Sequence, residues 1–119
     1  MCCMLEAYQP QEGDTVNTTT RTAEQTLAFN DHRIITDYAY TVASVKKAQR
    51  DVAESPAWMV AANAQDLLDK AQRAEAIRRT ADIIGVVFRH QAAWTAAAEG
   101  DTDKVSDMLA DLAKTARNR

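Results

Sequence analysis

Two histidines, three serines and two adjacent thiols are the side chains here that could shuttle protons, attack a substrate or hold a metal. His32 follows Asp31 and lies near Asp37, a spacing that would suit an acid–base or metal-binding pair. No third ligand completes it, and a zinc site takes about four. The expected reading is a half-exposed polar start of a helix. His90, beside Arg89 and just past an apolar run, is expected to hydrogen-bond near a buried helix end or to face solvent. Ser44, Ser55 and Ser106 fall on helix surfaces or caps, and no histidine places any of them as a nucleophile. Gly13, Gly85 and Gly100 are isolated, so no glycine-rich loop cradles phosphate. Cys2 and Cys3 are neighbours, a pairing that a disulfide reaches only with strain. The expectation is a protein that is not an enzyme, with no catalytic residue, no cofactor and no metal.

Residues that could bind a macromolecule are easier to find. Asp103, Asp107 and Asp111 recur every four residues on the last helix, a ladder that could dock on a basic partner, although with Lys104 and Lys114 close enough to soften it a solvated face is the expected reading. Trp58 and Met59, with Val60 beside Pro56, form a compact apolar corner. Core packing is the commoner fate of such a tryptophan, but if exposed the corner is a candidate binding hot spot. The run Ile83 to Phe88 is apolar all round, which a helix tolerates when neighbours cover every side. Ile83, Ile84, Val87 and Phe88 are therefore expected in a central core or at a self-association surface. Lys46, Lys47 and Arg50, together with Arg78 and Arg79, are the basic concentrations on which a nucleic-acid interface would have to be built.

Helices must position all of these. From Arg21 to Arg119 the only breakers are Pro56, Gly85 and Gly100. From Thr22 to Glu54 the apolar residues Leu27, Ile34, Tyr38, Val45, Ala48 and Val52 step at helical intervals. Asn30-Asp31 is expected to interrupt this segment, because both residues prefer caps. Glu54-Ser55-Pro56 marks a boundary and Pro56 a new start. Val60, Ala64, Leu67, Ala71 and Ala74 share one seam, which slips at Arg78, so a kink or short connection is expected near Arg78–Thr80. Val105, Met108, Leu109, Leu112 and Ala116 give the last helix one apolar face, expected to be buried. The expected architecture is an all-α antiparallel bundle of about four helices, the middle two able to join into one long kinked helix. Residues 21–119 form the single domain. Residues 1–20, polar and with little to bury, are expected to be a disordered tail. A native start at Val16 is a further expectation, which detection of Met1 in the natural product by mass spectrometry would remove.

The stretch Ala92 to Ala113, with Ala96-Ala97-Ala98-Glu99-Gly100-Asp101 followed by Val105, Met108 and Leu109, resembles one helix-turn-helix unit of an ankyrin repeat. The resemblance covers about a fifth of the chain. It has no second copy and lacks the Thr-Pro-Leu-His opening, so it implies two helices meeting at a Gly–Asp turn.

The charge distribution separates the binding classes. Formal charge is -3, and residues 1–20 carry Glu6, Glu12 and Asp14 with no base. The remaining 99 residues are balanced, whereas a domain that wraps duplex nucleic acid shows a basic stripe. Nothing resembles a secretory signal, and no apolar run approaches the roughly 20 residues that span a bilayer. The expected function is a small cytoplasmic helical protein that binds another protein, as an accessory regulator or an inhibitor of, for instance, a bacterial defence complex. Self-association into a homo-oligomer is a second expectation. The alternative is a dimeric helical DNA-binding transcriptional regulator, which the neutral domain disfavours.

Overall fold

Helix formation begins where Thr22 and Gln25 cap each other. The Gln25 N–H donates to Thr22 Oγ1 at 3.0 Å and the Thr22 N–H donates to Gln25 Oε1 at 2.9 Å. This box satisfies donors that a helix start leaves open. The computed structural model describes residues 22–117. The tail expected at residues 1–20, with Cys2, Cys3 and Val16, lies outside them.

The described residues are helical, with no strand among them: α1 Ala23–Ala53, a 3₁₀ turn Ala57–Met59, α2 Val60–Ile83, α3 Val86–Arg89, α4 Gln91–Ala98, α5 Thr102–Met108 and α6 Ala110–Arg117. The count is six α-helices, not four. Three openings, in place of the one expected near Arg78–Thr80, make the difference. Gly85, at φ 81°, ends the long second helix, His90 parts α3 from α4, and Leu109 loosens the last helix into α5 and α6.

Two expected interruptions are absent. α1 runs unbroken through Asn30-Asp31 for 31 residues, about 46 Å at 1.5 Å per residue. Asp31 can stay helical because its carboxylate has partners elsewhere in the chain. α2 likewise passes Arg78–Thr80 without a break. Arg78 straps that turn, donating to Glu75 through Nε at 2.9 Å and Nη2 at 2.6 Å, and to Asp82 through Nη1 at 2.8 Å. Such i,i+3 and i,i+4 pairs support a helix locally.

α1 is the spine. It packs against α2, α3, α4, α5 and α6, whereas α2 meets only α1, α3 and the 3₁₀ turn. α1 therefore stands between α2 and the α4–α6 group. The core lies around Ile35 and Ala39 of α1, with Ala81, Val86, Trp94, Ala97, Val105 and Leu109 closing on them. Trp94 stacks on Tyr38, the ring centroids 4.1 Å apart and the planes 5° from parallel. Each large apolar side chain buried here contributes roughly 1.5–3 kcal/mol. The many alanines let backbones approach closely: a Cβ on Gly100 would sit 3.2 Å from the Ala43 nitrogen.

This arrangement displaces the expected centre. Ile83 and Phe88 are 83% and 80% exposed, Ile84 is exposed and Val87 half-buried, so only Val86 of that run is fully inside. The glycine turn at Gly85 splits the run, and α3, one turn long, buries a single side. From residue 49 to residue 80 no side chain is buried. The far ends of α1 and α2 are thus a two-helix arm projecting from the packed base.

Candidate functional site

The most heavily tied polar group is Asp31, 1% exposed within the first third of α1. Arg89 grips it bidentately, Nε donating to Oδ2 at 2.9 Å and Nη2 to Oδ1 at 2.8 Å. His90 Nε2 lies 2.9 Å from the same Oδ2. Burial alone would raise the carboxyl pKa, but hydrogen bonds from Arg89 and His90, and their charge, hold it below the ordinary 3.8. Its bond to Asp31 in turn raises Arg89. Asp31 is sealed from solvent by its own partners, so the cluster clamps α1 to the α3–α4 junction. His90 does hydrogen-bond at a helix junction, as its position predicts. His32 does not share a site with it: it is half-buried elsewhere on α1, lining a pocket of about 80 Å³ with Thr36 and Ser106. Among the described residues no group of three or more His, Cys, Asp or Glu side chains could hold a metal ion.

Asp103, Asp107 and Asp111 are all exposed on α5 and α6, and none forms an ion pair among the described residues. Lys104 and Lys114, placed to soften the ladder, do not reach it. Asp101 caps α5, its carboxylate accepting from the Lys104 N–H at 3.1 Å. Asp111 also borders an open groove of about 440 Å³ between α4 and α5–α6, where Met108, Leu112 and Ala92 supply apolar walls and Arg89 and His90 a polar edge. The result is an acidic ridge beside an apolar trough.

The second uncovered surface runs along α2. Met59, Asn63, Leu67, Ala74, Ile77 and Ala81 turn towards α1 and are at least half-buried. Trp58, Ala61, Gln65, Leu68, Gln72, Ala76 and Ile83 follow at steps of three, four and seven on the opposite side, and all are exposed. Trp58 is 81% exposed at the tip of the arm, so the commoner expectation of core packing fails for it and holds for Trp94. The cause is topological, because no third helix among the described residues reaches the tip. Met59 alone of that corner leans inward.

The basic candidates are mostly occupied. Lys46 donates to the Glu99 carbonyl at 2.6 Å and Lys47 pairs with Asp51 at 3.1 Å. Arg78 serves Glu75 and Asp82, and Arg79 lies 3.6 Å from Glu75. Of the five, Arg50 alone has no ion pair or side-chain hydrogen bond among the described residues. Free positive charge for a phosphate backbone is therefore scarce.

Sequence reasoning missed the Asp31 clamp and the outer face of α2. A signal for the first is present, since Asp31 occupies a place in the apolar stripe of α1 and a buried carboxylate demands a cation. Comparison with protein-family models, curated proteins and solved structures returns no match for this chain. No helix among the described residues is long and apolar enough to cross a membrane.

Proposed function

We propose that the protein works in the cytoplasm by binding another protein, as an accessory regulator or inhibitor that covers a basic surface of its partner. The observation that supports this is the α5–α6 ridge: its aspartates are unpaired, whereas Asp66, Glu75 and Asp82 of α2 and Asp31, Asp37 and Asp51 of α1 all lie beside cations. Such a ridge carries a small cost in helix stability, since like charges four apart repel. Opposed to a basic patch, the same charges speed encounter and fix orientation, and the adjacent Met108 trough supplies area to bury. Proteins that bind nucleic acid carry such basic patches. Inhibition of a bacterial defence complex is one concrete version of the reading.

The test is capture of partners by the tagged full chain from source lysate, with and without nuclease. A stoichiometric protein that survives nuclease supports the proposal. Replacing Asp103, Asp107 and Asp111 together by Asn should then weaken its binding about tenfold or more and flatten the salt dependence. Recovery of nucleic acid, with proteins lost after nuclease, would overturn it in favour of DNA binding.

A further inference from the structure

The outer face of α2, with the turn that leads into it, has a pattern that pairs with itself when reversed. Two of its three large apolar residues, Trp58 and Ile83, sit at the two extremes, and the third, Leu68, faces Gln72 across the midpoint between Lys70 and Ala71. Turned end for end against itself about that midpoint, the helix sets Trp58 against Ile83 and Gln65 against the small Ala76. Leu68 then lies along the aliphatic stems of Gln72 and Arg73. Apolar ends meet each other and long side chains meet short ones, as closely packed helices require.

The polar residues at the centre agree with the same register. Asp69 and Arg73 form no ion pair among the described residues, although their spacing of four would allow one within the helix. Asp69 accepts only from Gln65, at 2.9 Å. The Gln72 amide has no side-chain partner among the described residues. In the reversed pairing Asp69 of each copy comes beside Gln72 and Arg73 of the other. The carboxylate gains a cation and an amide donor, twice, by symmetry. A polar group that finds its partner in only one alignment fixes the register of paired helices.

We infer that α2 is the interface of a homodimer, two copies packing antiparallel about a two-fold axis between Lys70 and Ala71. The helix is about 36 Å long, enough for a continuous seam from the arm tip to the base. Among the described residues nothing covers this surface, since α4, α5 and α6 lie beyond α1 and do not pack on α2. The dimer therefore leaves both acidic ridges open, and it stands independently of what they bind.

Sedimentation equilibrium of the full chain, loaded from about 1 to 100 µM, tests the inference. The expected mass is twice the 13.1 kDa of one chain. Leu68→Lys, at a position already 50% exposed, places a cation beside Arg73 of the other copy and should yield a monomer with unchanged helicity. Arg73→Asp should weaken the dimer about tenfold, and the double reversal Asp69→Arg with Arg73→Asp should restore it. Phe88→Asp should leave the dimer intact. A monomer at every concentration would overturn the inference, as would a dimer indifferent to Leu68→Lys but lost with Phe88→Asp. Failure of the double reversal to rescue would overturn the antiparallel register. If full-chain Leu68→Lys stays monomeric like the parent but gains protease sensitivity before Thr22, the chain's own N-terminal segment occupies the face, and the dimer is refuted.

Discussion

Asp31 shows why a charged residue can sit inside a helix that buries alanine and isoleucine on either side. Its carboxylate is held by a guanidinium and an imidazole from 58 and 59 residues further along the chain. Removing one member of a buried pair is costly because the other is left without its partner, while Arg89, a third exposed, can partly recover in water. Asp31→Asn should therefore cost about 3 kcal/mol and lower the melting temperature by roughly 15 °C near neutral pH. The pH dependence has a definite sign. The folded pKa of Asp31 lies below the ordinary 3.8, so its stabilisation is fully present above that value and is lost as pH falls through the lower, folded one. Melts of the two proteins should differ most above pH 3.8 and converge in stronger acid. A gap that persisted unchanged there would mean that the clamp does not depend on the carboxylate charge. The need for a cation was legible in the sequence, because Asp31 interrupts an apolar stripe. Which cation was not, since Arg89 and His90 are remote and only the packed helices bring them together.

At the level of elements, the boundaries marked by proline or by Gly-Asp were legible, although α2 itself begins only at Val60 after a 3₁₀ turn, while those at Gly85, His90 and Leu109 were not. The Glu54-Ser55-Pro56 boundary and the Gly100-Asp101 turn follow from the chemistry of single residues, and Gly100 does take the left-handed conformation, φ 74°. The expected break at Arg78 fails because a slip in the apolar pattern looks the same whether the helix bends or simply exchanges one neighbour for another. Here it exchanges neighbours: α2 leaves the arm and enters the base near Ile77. The two left-handed glycines should respond differently to substitution. Gly100→Ala combines an unfavourable φ with a Cβ pressed against the Ala43 backbone, which cannot move aside, and should cost about 2 kcal/mol. Gly85→Ala brings its Cβ to 2.9 Å from the Arg89 guanidinium, which can move aside only by loosening its grip on Asp31, and should cost about 2 kcal/mol through that clamp. Urea unfolding measures both variants, and only the Gly85→Ala cost should shrink in the Asp31→Asn background; a cost unchanged there would mean that the added Cβ does not press on the clamp.

The whole molecule divides into a base packed on three sides of α1 and an arm packed on one. All-helical character was legible from composition, and so was the buried face of the last helix except for Met108, which the opening at Leu109 leaves 44% exposed. The division was not, because periodicity reports that a residue faces something without saying what. The run Ile83–Phe88 illustrates this: its apolar residues suggest a centre, and a glycine within them turns most of them out to the surface. Amides of the arm, residues 49–76, should exchange with deuterium faster than those around Ile35 and Ala39, since local opening there exposes little apolar surface. Uniform exchange along α1 would contradict a thin arm, and protection of α2 that rises with protein concentration would accompany pairing of the arms. The spine also has a consequence for synthesis. α2 is made directly after α1, but the helices that cover the other sides of α1 come only with residues 86–117. A chain growing from its N-terminus holds the apolar stripe of α1 open to solvent, or to chaperones, until residues 86–117 have emerged. Of the described helices, the first translated is the last to be enclosed.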